Sequence, residues 1–227
     1  PLRMQAVSDD DALAKLVAAE HLAHGRGATG PTLIVVNTVR DCIALHALLA
    51  RDPTLVGTDL RLVHSRFRPH ERATWRAAFL NRSACGPGTD RILIATQVIE
   101  AGVDVSAGVL ITALAPWASL VQRFGRAARW GGRATVVVVD RLAEAAIAQD
   151  EKQRKVMQKQ ALPYALEELE AAREALAQIS DVSPRQLEAF EEQHPELLAR
   201  LYPYAARHLL LRHELDELFD TAPDLSG

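Results

Sequence analysis

The chain has 227 residues, 48% of them apolar, and a formal net charge of −3. That apolar share can build a real core, and the length suits one large domain or a medium domain with an appendage. The charge excludes a globally basic nucleic-acid binder, so any such surface must be a local patch.

Asp9 to His24 is predicted as an amphipathic helix, opened by Asp9, Asp10 and Asp11 at its positive end and broken by Gly25 to Gly30. Thr32 to Val36 (TLIVV) follows Pro31 as a short apolar run, the signature of a strand buried on both faces. Asn37-Thr38 then opens a helix through Cys42, Leu45, Leu48 and Leu49. Leu60 to His64 is predicted as a second strand. Pro69 to Leu80 is predicted as one helix, with Trp75, Ala78 and Phe79 as core candidates. Asn81 to Thr89 is a polar, glycine-bearing loop. Arg91 to Ala95, Val109 to Thr112 and Ala134 to Val139 are the third, fourth and fifth strands. Strands alternating with helices imply crossover units and a parallel sheet covered on both sides. Ligands of such sheets bind at the carboxyl ends of the strands. The residues just past each run therefore become candidates: Asn37-Thr38-Val39-Arg40, His64-Ser65-Arg66 and Thr96-Gln97.

After Asp140 the texture changes to Ala, Leu, Glu and Gln without a strand-like run. Helices are predicted over Leu142–Lys159, Tyr164–Ile179, from Ser183-Pro184, from Pro195 to near Pro203, and over Arg207–Phe219, with Thr221–Gly227 as a tail. Ser183 followed by Gln186 resembles a capping box. The charged faces of these helices, with Glu167, Glu168, Glu170, Glu191 and Glu192, are read as solvated. The division is an α/β domain over 1–140 and an all-helical region over 141–227.

Pro116 to Arg133 (PWASLVQRFGRAARWGGR) is read as one helix with two faces, ended by Gly131-Gly132. Gln122, Arg126 and Arg129 stand at i, i+4 and i+7 on the front, flanked by Arg123. Trp117, Leu120, Phe124 and Ala128 form the back. Guanidinium groups held in a row suit phosphate oxygens, because they are always charged and donate in a planar fork. A solvated basic face beside a core helix has the same pattern. Likewise Thr96-Gln97 also fits an ordinary strand end, Gly102-Val103-Asp104 a simple turn, and His64-Ser65 a polar pair near a sheet edge.

Taken in order, these pieces form a recognisable series. RILIATQVIEAGVDV from Arg91 and APWASLVQRFGRAAR from Ala115 resemble motifs V and VI of superfamily-two helicases. The variant they resemble is that of the CRISPR-associated helicase-nuclease family of type I systems. TLIVVNTVRD from Thr32 looks like motif IV, and LVHSRFRPHER from Leu62 like the strand and turn that follow it. The ending LRHELDELFDTAPDLSG from Leu211 looks like a subgroup of that family. The resemblance covers residues 30 to 140 well and the helical region loosely.

The resemblance implies the second RecA-like lobe of an ATP-dependent DNA helicase, with nucleotide held between two lobes. Carried over, Arg126 and Arg129 are the arginine fingers on the γ-phosphate. Gln122 and Arg123 link nucleotide and partner lobe, Gly102 allows close backbone approach, and Asp104 accepts from the ribose hydroxyls. Thr96, Thr38 and Asn37 hold phosphates of a single DNA strand, with Arg40, His64, Ser65 and Gln97 as further contacts. Arg141 to Gln160 corresponds to a linker helix beside the DNA path; its mixed charges also fit a plain surface helix.

No phosphate-loop sequence GxxxxGK[ST] occurs in the chain, and no Asp-Glu magnesium motif follows a predicted strand. No His-Asp dipeptide or histidine cluster of the nuclease kind occurs either, and His208 and His213 are poorly spaced for a metal. The implied cofactors, ATP and Mg2+, thus belong to a full-length enzyme, and this chain alone is expected to bind neither productively. The start at Pro1, without Met, is read as that of a fragment. The implied partners are a first RecA-like lobe, a nuclease domain of the same protein, single-stranded DNA and a CRISPR effector complex. Cys42 and Cys85 have no CxxC partner and imply no disulfide framework or zinc site. With no apolar run of membrane-spanning length, the expected setting is the cytoplasm. A DNA-repair or RNA helicase lobe, or a non-motor binding module that keeps this fold, are the alternatives.

Overall fold

The computed structural model describes residues 1–142, 151–203 and 211–212. Strands β1 (Leu2–Ala6), β2 (Thr32–Val35), β3 (Asp59–Val63), β4 (Arg91–Ala95), β5 (Val109–Ala113) and β6 (Thr135–Asp140) form one sheet in the order β1-β6-β5-β2-β4-β3. Every pairing in it is parallel. The central strand β2 sets Val35 beside Ala95 on one side and Thr112 on the other.

Alternate side chains leave opposite faces of the sheet. Leu33, Val35, Leu93, Ala95, Leu110, Val136 and Val138 belong to one apolar cluster; Ile34, Val36, Ile92, Ile94, Ile111, Val137 and Val139 belong to the other. Both faces are covered, which is why these strands read as unbroken apolar runs. Burying each such side chain is worth roughly 1.5–3 kcal/mol.

Helices α1 (Asp10–Ala23) and α2 (Val39–Leu49) cover the second face. Each starts where its sequence says: Asp9 accepts from the Ala12 N–H, and Thr38 accepts from the Asp41 N–H. On the first face lie α3 (Pro69–Ala73), α4 (Trp75–Ala78) and α5 (Trp117–Phe124), with Phe79, Leu80, Trp117, Leu120 and Phe124 in the core. The chain thus leaves neighbouring strands β2 and β5 toward opposite faces. The crevice between their carboxyl ends is the expected ligand position of an open parallel sheet.

Helices α6 (Glu151–Ala161), α7 (Leu166–Leu176), α8 (Pro184–Gln193) and α9 (Pro195–Leu201) pack over the first face as well. Met157, Ala161, Leu166, Leu169, Ala172, Leu187, Phe190 and Leu197 share one core cluster with the sheet. Across the join, Arg173 donates to both carboxylate oxygens of Asp140, at 2.6 and 3.2 Å.

Several expectations need correction. The sheet has a sixth strand, β1, an edge strand whose half-buried LRMQA alternates and offers no continuous run. Pro69–Leu80 is two helices. Thr74 separates them and its hydroxyl donates to the Glu71 carbonyl at 3.3 Å, competing with the helix ladder; Ala78 is exposed. Ser183 stands at the start of α8 without a side-chain cap, its N–H donating to Asp181 Oδ1 at 2.6 Å.

The helix read over Pro116–Arg133 ends at Phe124. Arg126 and Ala127 make short-range bonds back to Arg123 and Phe124, and the chain then bridges to Ala107. Ala107 N–H donates to the Arg126 carbonyl at 2.7 Å, and Ala128 N–H to the Ala107 carbonyl at 3.0 Å. Ala128 takes φ +46° to do so. Arg126 and Arg129 therefore lie on a loop, not on one helix face. The predicted helix over Arg207–Phe219, the tail, residues 143–150 of the Leu142–Lys159 helix and nearly all of the Leu211–Gly227 ending lie outside the described residues, with His208 and His213.

Candidate functional site

Arg123 stands at the centre of the carboxyl edge of the sheet, and it is wholly buried. Its Nε donates to Glu100 Oε1 at 2.8 Å. Nη1 donates to Thr112 Oγ1 at 2.9 Å, the Ala113 carbonyl at 3.1 Å and Asn37 Oδ1 at 3.2 Å. Nη2 donates to Asn37 Oδ1 at 3.3 Å and Tyr164 Oη at 3.2 Å. Asn37 is held further by its own amide nitrogen, which donates to the Leu114 carbonyl at 2.8 Å. Gln97 Nε2 donates to the Asn37 carbonyl at 2.8 Å and to Tyr164 Oη at 3.1 Å. Three predicted site residues, Asn37, Gln97 and Arg123, are thus brought together, but onto one another. Arg123 does not flank an exposed stripe as expected: burial and a full set of acceptors turn it into a tie between β2, β5, the 97–99 turn and the chain before α7.

The other edge residues are more open. Thr38 Oγ1 accepts the capping bond of α2 at 3.1 Å, so the hydroxyl proton remains for another acceptor. Arg40 is 91% exposed and only 3.5 Å from Asp41. Thr96 is buried; its N–H donates to the Val63 carbonyl, and its hydroxyl has no hydrogen-bond partner among the described residues. A cleft of about 680 Å³ runs here, walled by Thr38, Arg40 and Asp41 on one side and Lys159 and Gln160 of α6 on the other. Ser65 is exposed. His64 is buried and stacks on Phe67 with centroids 4.3 Å apart. Burial, aided by Arg66, pushes its pKa down, so the ring is neutral and serves as an anchor.

Arg126 is buried too, its Nε donating to the Ile99 carbonyl at 3.0 Å and its Nη2 to the Glu100 carbonyl. Burial and then Arg129 lower its pKa, against the pull of Asp104 and Glu100. Arg129 is half-exposed, with Nε 3.3 Å from Asp104 Oδ1. The same oxygen accepts from Trp130 Nε1 at 2.9 Å. Gln122 is exposed. Gln122, Arg126, Arg129 and Arg133 line one side of a groove of about 1040 Å³, and α8, through Glu188, lines the other. Gly102 takes φ +74°, a conformation that suits glycine. A Cβ there would meet nothing within 4 Å, so within this lobe it is the dihedral that asks for glycine.

The sequence reading missed Glu100, Tyr164, Trp130 and Glu191. Glu191 was placed on a solvated face, yet it accepts from Trp117 Nε1 at 2.8 Å and the Tyr202 hydroxyl at 2.6 Å. Glu100 carried a signal: it is the first acid after the apolar run that starts at Arg91.

A family model described as "CRISPR-associated nuclease/helicase Cas3, C-terminal" matches residues 28–132. The putative CRISPR-associated nuclease/helicase Cas3 of Myxococcus xanthus is 37% identical over 97 residues, covering 43% of this chain and 12% of that protein. The Cas3 of Methanothermobacter thermautotrophicus is 35% identical over 94 residues, covering 41% and 10%. The chain thus spans about a tenth of the length of the curated relatives it matches. A crystal structure of a CRISPR-associated protein superposes with a TM-score of 0.62 at 26% identity, over 96% of this chain and 23% of that one. The crystal structure of T. fusca Cas3 with ATP superposes with a TM-score of 0.54 at 21% identity, over 88% and 26%, a likeness of fold. Parallel sheet, motif order and sequence match agree: the chain has a RecA-like fold, and over residues 28–132 it is similar to the C-terminal part of the Cas3 nuclease/helicases.

Proposed function

We propose that this lobe is the C-terminal half of an ATP-dependent DNA motor and supplies the arginine fingers for ATP hydrolysis. The carrying observation is the interlock of two segments at the rim of the groove. Arg126 is seated on the carbonyls of Ile99 and Glu100, and Arg129 on Asp104, four residues further along the same segment. A grouping of Arg126, Arg129 and Arg133 on one groove wall fits a polyphosphate by charge and by fork geometry. ATP, held by a phosphate loop on a first lobe, is the substrate whose γ-phosphoryl group passes to water. Arg126 and Arg129 take up the charge that spreads over the equatorial oxygens, an effect worth about a thousandfold or more in rate. Asp104 accepts from the ribose hydroxyls, and Gln122 bridges to the facing lobe. Among the described residues no group of three acidic, histidine or cysteine side chains gathers for a metal.

At the sheet edge, Thr38 and Thr96 hold phosphates of a tracking strand through hydroxyls that lack a competing acceptor. Arg40 and Ser65 add contacts, while Asn37, Gln97 and Arg123 set the shape of the edge. The partners that follow are a first lobe, a nuclease domain as the relatives' names indicate, single-stranded DNA and a CRISPR effector complex, in the cytoplasm. The 227-residue chain alone turns over no ATP.

The test joins this chain to its first lobe. Arg126→Ala and Arg129→Ala should remove most strand-stimulated ATP turnover while single-strand affinity stays within about threefold. Turnover at the wild-type rate in both variants refutes the finger assignment, and turnover by the isolated chain refutes its dependence on a first lobe.

A further inference from the structure

Residues 61 to 82 hold six arginines and two histidines against one acid, Glu71, in a chain whose net charge is −3. The segment leaves the carboxyl end of β3 next to Thr96, whose N–H donates to the Val63 carbonyl at 3.0 Å. A column of rings pins it to the fold. His64 stacks on Phe67 at 4.3 Å, Trp75 meets Phe67 edge-on at 4.9 Å, and Trp75 lies 6.0 Å from the buried Phe79. With the rings turned inward, Arg66, Arg68, His70 and Arg72 are left exposed.

The one carboxylate is spent locally. Glu71 accepts the Arg68 N–H at 2.7 Å and sits 3.4 Å from the Arg68 guanidinium, capping α3. Arg66 and Arg72 have no ion-pair partner among the described residues. A fixed loop that presents uncompensated guanidinium groups is an electrostatic footprint for an anionic backbone, not a neutralised surface. Its occupant is chosen by continuity, since the patch extends the edge that carries Thr96 and Thr38 outward past β3.

We infer that Arg66, Arg68 and Arg72 form a second phosphate-binding track, which carries a single nucleic-acid strand beyond the sheet edge along α3 without reading its bases. The inference deepens the proposed strand-binding role. It adds residues that the motor reading does not require.

The probe is a fluorescent 30-mer oligothymidylate titrated against the 227-residue chain, whose sheet and helices share one core, across a range of salt. In the triple variant Arg66→Ala/Arg68→Ala/Arg72→Ala, affinity should fall roughly tenfold or more near 0.1 M salt. The log–log salt slope should fall by about two, at roughly 0.7 per phosphate contact on a single strand. Circular dichroism and the melting temperature should not move, because all three side chains are exposed. Arg66→Lys/Arg68→Lys/Arg72→Lys should restore most of the slope. An unchanged affinity and slope in the alanine variant overturns the track. If Thr38→Ala/Thr96→Val then abolishes binding, the edge reading survives without it. Failure of the wild-type chain to bind the oligomer at low salt, equal binding of a hairpin duplex, or loss of poly-glutamate binding in place of oligomer binding also overturns it. None of these results bears on the finger assignment, which ATP turnover alone decides.

Discussion

Asp104 Oδ1 lies 3.3 Å from Arg129 Nε, so the carboxylate assigned to the ribose and the guanidinium assigned to the phosphate hold each other in this lobe. Both are substantially exposed, 56% and 44%, and such a pair is worth at most about 1 kcal/mol of stability. On the proposed function, separating them for a nucleotide costs little. In the two-lobe protein Asp104→Ala should weaken nucleotide affinity severalfold and leave single-strand affinity nearly unchanged. Titrating both ligands checks this, and the reverse order of effects rejects the assignment.

Arg123 differs from Arg129 in kind. It is fully buried, and its partner Glu100 is largely so. Removing one member of such a pair leaves the other charged and unpaired in the interior, which typically costs 3–5 kcal/mol. Arg123→Ala should therefore lower the unfolding free energy from urea titration by that order and strip function through loss of fold. Arg123→Lys should not rescue it, because an ammonium cannot reach Glu100, Thr112, Asn37 and Tyr164 from one fork. Measured stability close to wild type contradicts the arrangement.

Tyr164 links the helical region to this centre. Its hydroxyl oxygen accepts from Arg123 at 3.2 Å and Gln97 at 3.1 Å, and both donors keep Asn37 as a second acceptor. Tyr164→Phe should thus cost only about 0.5–1.5 kcal/mol in urea unfolding. In the two-lobe protein it should lower strand-stimulated turnover more than basal turnover, because the tie between the helices and the motif segments is cut. Equal loss of both rates argues for a purely structural tyrosine.

Acid should weaken the fold as pH falls below about 6.5. His21 is wholly buried between Thr32 and Asp90, each 2.9 Å from a ring nitrogen. Burial lowers its pKa, and the Asp90 carboxylate opposes this without offsetting it. The folded value lies below the unfolded 6.5, so the unfolded chain takes up the proton first as pH falls. The stabilisation is complete above pH 6.5 and is lost toward the folded pKa. His46 and His64 are shifted the same way by burial and add to the trend. Urea midpoints at pH 7.5 and 5.5 should differ, and less so in His21→Gln; a flat profile refutes the linkage.

Much of the fold was legible because its signals are local. Thr32–Val36, Arg91–Ala95, Val109–Thr112 and Ala134–Val139 could only be strands buried on both faces, and Asp9 and Thr38 announced their helices by capping. The motif residues were visible as residue types at set spacings. β1 was not, since an edge strand with one wet face has no run to betray it.

What chain order alone determined was the alternating strand-helix plan and the identity of the residues at the carboxyl edge. Tertiary structure decided which of them remain available. Periodicity extended the helix through Arg129, but backbone bonding to Ala107 ended it at Phe124. Periodicity put Arg123 at the margin of a basic stripe, but Glu100, Asn37, Thr112 and Tyr164 closed around it. The reason is range: a helical repeat reports neighbours a turn away, whereas the pairing of Arg123 depends on groups up to 86 residues distant in the chain.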